Sequence, residues 1–140
     1  MKNYRRRIMD TLLEKKLQAK GAVLIEGPKW CGKTTTAEEI ATSKIMLAKP
    51  DIKEHFKSLL EIDTDAALAG ETPMLIDEWQ TVPKLWDAVR YTVDHRHAMG
   101  QFILTGSAVP DKDAEKEREH SGTGRFAWLT MRPMTLFESG

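Results

Sequence analysis

The feature that most constrains this chain is the segment Gly27-Pro28-Lys29-Trp30-Cys31-Gly32-Lys33-Thr34, which matches the pattern G-x-x-x-x-G-K-[ST]. It directly follows the apolar run Ala22-Val23-Leu24-Ile25, which is typical of a strand buried on both faces in a parallel sheet. The residues after it, 34–48, predict a helix that ends before Pro50. A glycine-rich turn between a buried strand and a helix N-terminus directs backbone N–H groups at one point. The segment therefore predicts a phosphate-binding loop in an α/β fold.

The fixed positions of this loop have separate chemical roles. Gly27 and Gly32 permit the tight backbone path, Lys33 brings its charge to the β and γ phosphates, and the Thr34 hydroxyl is a ligand for Mg²⁺. Cys31, the single cysteine of the chain, occupies a variable position without the local signature of a nucleophile. We predict ATP as the cofactor, held by Gly27, Pro28, Lys29, Trp30, Cys31, Gly32, Lys33, Thr34 and Thr35.

An acidic pair follows the apolar run Met74-Leu75-Ile76, at the end where a parallel strand presents its side chains to ligands. We predict that Asp77 holds Mg²⁺ through water and that Glu78 takes the proton from an attacking water. An isolated Asp-Glu would more simply cap a turn. The phosphate loop upstream favours the functional interpretation.

The next apolar run, Phe102-Ile103-Leu104, ends in a second polar segment that contains Thr105 and Ser107. Either hydroxyl is a candidate for holding the attacking water or contacting the γ-phosphate, although an ordinary capped turn explains them equally well. Arg125 follows a run of small residues, 121–124. It is a candidate arginine finger, with an exposed surface arginine as the alternative.

The remaining pattern divides the chain into an amphipathic helix at 4–20 and a core at 21–140. A second helix is predicted at 82–93, between two of the strands. Alternating strands and helices are typical of a right-handed parallel sheet with helices on both faces, a three-layer α/β/α arrangement. Five strands are predicted in this core, at 22–25, 58–63, 74–76, 102–104 and 126–130.

Charge and hydropathy exclude several other classes of protein. Lysine and arginine together number 21 and so do aspartate and glutamate, so no global field draws the chain onto nucleic acid or an anionic membrane. No apolar run is long enough to span a membrane, and the N-terminus lacks the pattern of a signal peptide. We therefore predict a cytoplasmic protein without a membrane partner.

The order of the motifs resembles a known family. Tyr4-Arg5-Arg6-Arg7, the phosphate loop, Leu75-Ile76-Asp77-Glu78-Trp79-Gln80 and Phe102-Ile103-Leu104-Thr105-Gly106-Ser107 are similar to the N-terminal module of the prokaryotic AAA-type ATPases of the AAA_14 group, which usually carry a C-terminal DUF4143 domain. The resemblance implies an AAA+-like core with Lys33 and Thr34 as Walker A, Asp77 and Glu78 as Walker B, and Thr105 near the sensor-1 position. It also implies that the family's C-terminal domain and lid are absent from this chain.

These observations favour an ATPase that works as a nucleotide-driven switch, sensed by a partner or by the family's C-terminal portion. The partner is expected to be a protein that binds through that portion or another copy of the chain in a homo-oligomer. A non-hydrolysing ATP-binding module is the alternative, and a P-loop kinase is a weaker one because Glu78 is positioned to activate water. A GTPase is disfavoured, since Asn3 is the only asparagine and the guanine-reading Asn-Lys-x-Asp motif is absent. Nucleic acid is a candidate partner only by analogy with the family.

Overall fold

The computed structural model describes residues 2–27, 33–106 and 126–130, with the backbone alone described at 2–10, 33–35 and 130. Helices and strands alternate along the chain, as the sequence predicts. In order, the elements are α1 (Lys2–Ala19), β1 (Ala22–Glu26), α2 (Lys33–Ile40), β2 (Ser43–Met46), α3 (Pro50–Ile62), α4 (Thr64–Ala67), β3 (Met74–Asp77), a 3₁₀ helix (Trp79–Thr81), α5 (Leu85–Arg96), β4 (Phe102–Gly106) and β5 (Phe126–Thr130).

The strands form one five-stranded sheet in the order β2-β3-β4-β1-β5, and every neighbouring pair is parallel. β4 is the middle strand, and β1 lies between β4 and β5. The register aligns Ile25 with Thr105 and Thr105 with Asp77, so the carboxyl ends of β1, β4 and β3 meet at one edge of the sheet. Parallel α/β sheets bind their ligands outside this edge.

Helices cover both faces of the sheet, and this confirms the predicted three-layer α/β fold. Successive strand residues point to opposite faces, so Val23 and Ile25 pack with residues of α1 and α2 while Ala22 and Leu24 pack with residues of α3 and α5. Ala37 is the fully buried residue of α2 in the core that contains Val23 and Ile25. Burial on both faces explains why these strands are short continuous apolar runs.

The predicted strand at 58–63 is wrong, because residues 58–62 form the end of α3. Phe56 and Leu60, four residues apart, are the buried side chains of that helix. They lie on one helical face, and a short apolar run does not by itself distinguish such a face from a strand. Pro50 also begins α3 instead of ending the preceding helix, since proline suits the first turn, where no intrahelical donor is needed.

The second strand is instead β2, which lies inside the predicted helix 34–48. The helix after the phosphate loop, α2, ends at Ile40, and β2 begins at Ser43. β2 is at the edge of the sheet, pairs with β3 alone among the described strands, and is only partly buried. An edge strand of four residues with mixed burial carries little sequence signal.

The other predicted elements are present, with boundaries within about three residues. α1 corresponds to the predicted helix 4–20, α5 to the helix 82–93, and β5 to the strand 126–130. Within the described part of the chain, no helix combines the length and apolar character needed to cross a membrane.

Candidate functional site

The phosphate-loop sequence joins β1 to the helix that follows it, α2. Gly27 is buried and comes directly after β1, and α2 begins at Lys33. The intervening predicted residues, Pro28, Lys29, Trp30, Cys31 and Gly32, lie outside the described residues, as do the side chains of Lys33, Thr34 and Thr35. The strand before the loop and the helix after it are therefore in the order that phosphate binding requires.

Asp77 and Thr105 form a buried pair at the carboxyl edge of the sheet. The two residues are opposite each other in the β3–β4 register, and Thr105 Oγ1 donates a hydrogen bond of 2.6 Å to Asp77 Oδ1. Thr105 is fully buried and Asp77 is 6% exposed. A hydrogen bond to an ionised carboxylate is among the stronger ones in proteins. The pair therefore holds the acidic end of β3 against β4.

This pair lies on the sheet face that α2 covers. Successive side chains of a strand point to opposite faces of the sheet. Asp77 therefore shares a face with Leu75, and Thr105 shares that face with Ile103. Leu75 and Ile103 pack in one core with Ala37 of α2. α2 packs directly against β3 and β4. The carboxylate predicted to serve Mg²⁺ is therefore on the same face as the helix that begins with Lys33.

The donor set suits Mg²⁺. Asp77 supplies buried carboxylate oxygens, which are hard ligands, and Mg²⁺ takes the rest of its coordination from water and substrate phosphates. No group of three or more histidine, cysteine, aspartate or glutamate residues that could hold a metal ion occurs in the described ranges. A site that shares its ion with a phosphate does not need such a group.

Glu78, the second carboxylate, occupies a different backbone environment. Its φ of 58° and ψ of 45° are left-handed, which is uncommon for a residue with a side chain and costs roughly 1–2 kcal/mol. The Glu78 carbonyl accepts hydrogen bonds from Thr81 N at 3.1 Å and Thr81 Oγ1 at 2.9 Å. The turn therefore leads directly into the 3₁₀ helix, and the half-buried Glu78 side chain leaves the line of β3.

The Glu78 carboxylate has a partner that the sequence analysis did not assign. Gln80 Nε2 donates to Glu78 Oε2 at 2.5 Å. The other end of the amide, Gln80 Oε1, is buried and has no hydrogen-bond donor among the described residues. Gln80 belongs to the segment that carries the family resemblance, but only the structure brings its amide to the carboxylate.

Gly106 is a second residue whose role the sequence pattern does not indicate. A Cβ at this position would lie 2.5 Å from Gln80 Oε1 and 2.9 Å from Trp79 Nε1. Contacts this short do not occur in folded proteins, so glycine is what permits the 3₁₀ helix to lie against the end of β4. A close approach of this kind is a known use of glycine in a strand.

Of the remaining candidates, Ser107 and Arg125 lie outside the described residues. Thr105 lies beside Asp77, and its predicted contact with water or phosphate remains a prediction. The domain has a parallel sheet with helices on both faces, a phosphate-loop sequence after β1 and an acidic pair that begins with the last residue of β3. These features define a P-loop domain of the ATPase-like, nucleotide-binding class. The family model AAA_14, described as an AAA domain, matches residues 19–139, and the chain belongs to this family.

Two curated relatives are mycobacterial proteins named as uncharacterized, Mb2031c of Mycobacterium bovis and Rv2008c of Mycobacterium tuberculosis. Each is 31% identical to the chain over 107 residues, and the match covers 76% of this chain and 24% of the relative. The chain thus spans about a quarter of the length of these relatives.

Among solved structures, the chain is similar to the ORC2 protein of Aeropyrum pernix, solved as ADPNP–ADP complexes, with a TM-score of 0.48 and 15% identity over 95% of this chain and 47% of that one. It is also similar to PCH-2 of C. elegans, with a TM-score of 0.48 and 16% identity over 95% of this chain and 43% of that one.

Proposed function

We propose that this chain binds ATP together with Mg²⁺ and hydrolyses the ATP to ADP and phosphate. The observation that carries the proposal is the buried Asp77–Thr105 pair, which lies on the same sheet face as the helix that begins at Lys33. A carboxylate at the end of β3 and a phosphate-binding helix after β1 are the two parts that an Mg²⁺-dependent nucleotide site needs.

Binding is assigned to the segment from Gly27 to Thr35. Its backbone N–H groups and the N-terminus of α2 bind the phosphates, and Lys33 reaches the β and γ phosphates. The residues that would hold Mg²⁺ are Thr34, through its hydroxyl, and Asp77, through water. Bound Mg²⁺ neutralises the charge that develops on the phosphates during transfer.

Hydrolysis is assigned to Glu78. Its carboxylate takes a proton from the water whose oxygen attacks the γ-phosphorus, while the bond from that phosphorus to the β-phosphate oxygen breaks. Thr105 holds Asp77 in place through its hydrogen bond, and its hydroxyl is also assigned a contact with the attacking water or the γ-phosphate. Arg125 acts as an arginine finger that stabilises the charge on the transferred group.

The hydrolysis cycle serves as a switch in the cytoplasm. Loss of the γ-phosphate changes what the loop and Glu78 contact, and a protein partner, a second copy of the chain or a further domain reads that change. Nucleic acid is a partner only by analogy with the family. The chain spans about a quarter of the length of its mycobacterial relatives, which leaves room in those proteins for a domain that senses this change.

The test is a titration with a fluorescent ATP analogue and Mg²⁺, followed by phosphate release in the same sample. Lys33→Ala is expected to lose binding by at least ~100-fold, and Glu78→Gln is expected to bind normally but to release phosphate ~100-fold more slowly. Lys57→Ala and Glu54→Gln are matched controls, because both residues are exposed on α3.

The result distinguishes the proposed ATPase from the two alternative functions. Binding without phosphate release by the unmodified chain would support a non-hydrolysing ATP-binding module. Phosphate transfer to a small acceptor in place of water would support a P-loop kinase. No binding at all would refute the proposal.

A further inference from the structure

We propose that Gln80 is a positioning residue for Glu78 and that Gly106 provides the space in which Gln80 lies. The inference rests on the proposed function, since it concerns the carboxylate assigned to the attacking water. Its physical basis is the 2.5 Å hydrogen bond between Gln80 Nε2 and Glu78 Oε2, together with the packing of the Gln80 amide against the end of β4.

The chemistry of the two groups determines the direction of this hydrogen bond. An ionised carboxylate only accepts, so the end of the amide that faces Glu78 is the NH₂ group. That contact engages Oε2 and leaves Oε1 of Glu78 for a proton from water. A charge-assisted hydrogen bond of this length fixes the plane of the carboxylate, which a free glutamate side chain would not keep.

The backbone between the two residues keeps them in register. Thr81 donates to the Glu78 carbonyl through both its N–H and its hydroxyl, and this closes the 3₁₀ turn in which Gln80 lies. Trp79, the residue between the pair, is 4% exposed, and its ring centroid is 5.3 Å from that of Trp86. A buried indole therefore anchors the turn to α5.

Gly106 determines where the far end of the amide lies. Gln80 Oε1 occupies the space beside Gly106 that a Cβ would need, with only 2.5 Å between the oxygen and the position of that Cβ. This oxygen meets no donor in the described part of the chain. The contact to Glu78 and the space at Gly106 are therefore the two features that orient the amide.

Thr105 and Gly106, adjacent in β4, thus serve the two carboxylates separately. Thr105 holds Asp77 on the sheet face that α2 covers. Gly106 is the next residue, so it belongs to the opposite face, where it admits Trp79 and Gln80. The strand end controls the positions of both members of the acidic pair.

The experiment compares steady-state ATP hydrolysis by the unmodified chain with that by Gln80→Met and by Gly106→Ala. Methionine preserves the side-chain length but removes the amide. The added Cβ displaces the end of Gln80 and also meets the buried Trp79 ring. We expect kcat to fall ~10- to 100-fold in both variants, because a small misplacement of a catalytic group costs this much. KM for ATP and affinity for the fluorescent analogue are expected to stay unchanged for Gln80→Met. Gln18→Met, an exposed position on α1, is the matched control and should retain full activity.

A double-mutant cycle tests whether Gln80 acts through Glu78. In a Glu78→Gln background, Gln80→Met is expected to cause no further loss of kcat, because the group it positions is already gone. An equal further loss in that background would overturn the inference, as would an unchanged or increased kcat in Gln80→Met alone. An unmodified chain that binds ATP without hydrolysing it would refute the proposed hydrolysis as well, and that result is visible before any variant is made.

Discussion

Thr105 Oγ1 donates a 2.6 Å hydrogen bond to Asp77 Oδ1 across the β3–β4 boundary, with both side chains buried. The two residues are 28 positions apart in sequence and directly opposite in the parallel register. The bond links the last residue of β3 to the penultimate residue of β4. The position of the carboxylate therefore depends on a hydroxyl from the neighbouring strand.

Replacing Thr105 by valine is expected to destabilise the fold. Valine has nearly the same shape but removes the donor from a buried carboxylate, and hydrogen bonds to charged groups contribute about 1.5–3 kcal/mol. The free energy of unfolding measured by urea titration should fall by that amount. Thr105→Ser retains the hydroxyl and is expected to lose less than half as much. Equal stability of the two variants would contradict this role for the hydroxyl.

A side chain at Gly21 is expected to destabilise the fold because it would clash with Val93. A Cβ at position 21 would lie 2.2 Å from Val93 Cγ1, and the Gly21 carbonyl accepts from Gln101 N at 2.8 Å and Phe102 N at 3.3 Å. The backbone at Gly21 therefore has little freedom to move away. Gly21→Ala should lower the free energy of unfolding by about 1–3 kcal/mol, the usual cost of overpacking.

Two comparisons test this explanation for Gly21. Gly21→Ala is expected to cost less in a Val93→Ala background than in the unmodified chain, because the clashing methyl group is then absent. Gly70→Ala should be milder, since its Cβ would first meet Cε at the flexible end of Met74. Additive effects of the Gly21 and Val93 substitutions would show that the clash is not the cause.

The left-handed backbone at Glu78 predicts a trade between stability and activity. Glycine adopts φ of 58° without steric cost, although it also gains entropy in the unfolded chain. Glu78→Gly is therefore expected to be as stable as Glu78→Gln or more stable by up to about 1 kcal/mol. Both variants should release phosphate at least ~100-fold more slowly than the unmodified chain. Thermal unfolding of the two proteins provides the measurement, and a clearly less stable glycine variant would contradict the idea of strain.

Trp86 is expected to hold the edge strand β5 in the sheet. Its ring stacks on that of Phe126, with centroids 4.1 Å apart and planes at 12°. The centroid of the Trp86 ring is also 5.7 Å from that of Trp128. Trp86→Ala should lower the free energy of unfolding by about 3–5 kcal/mol and reduce the near-UV circular dichroism. Trp86→Phe retains an aromatic ring and should cost less. A near-UV spectrum unchanged by Trp86→Ala would exclude this packing.

The sequence determined the parts of this protein whose signal is local. The run Ala22–Ile25, the glycine pattern after it and the strand Met74–Ile76 with its acidic end each lie within a few consecutive residues. Burial on both sheet faces makes such strands continuously apolar, and the phosphate-loop pattern needs no distant partner to be read. These features suffice to predict the fold class and the order in which the motifs meet the sheet edge.

The misassigned second strand shows where local signals fail. Leu59 and Leu60 look like a strand in sequence, but Leu60 joins Phe56 on the buried face of α3. β2, a four-residue edge strand, is recognisable only from its pairing with β3. Pairing is a contact between distant segments, and burial on one side of an edge strand leaves a weak pattern.

Only the tertiary structure decided which side chains meet at the candidate site. The hydrogen bond from Thr105 to Asp77 depends on the β3–β4 register, and the approach of Gln80 to Gly106 depends on the turn at Glu78. Neither contact produces a periodic pattern in the sequence, because strand order and backbone geometry bring the two residues together. The sequence therefore determined which residue types stand at the ends of the strands, and packing determined the partner of each, since register is a property of the assembled sheet.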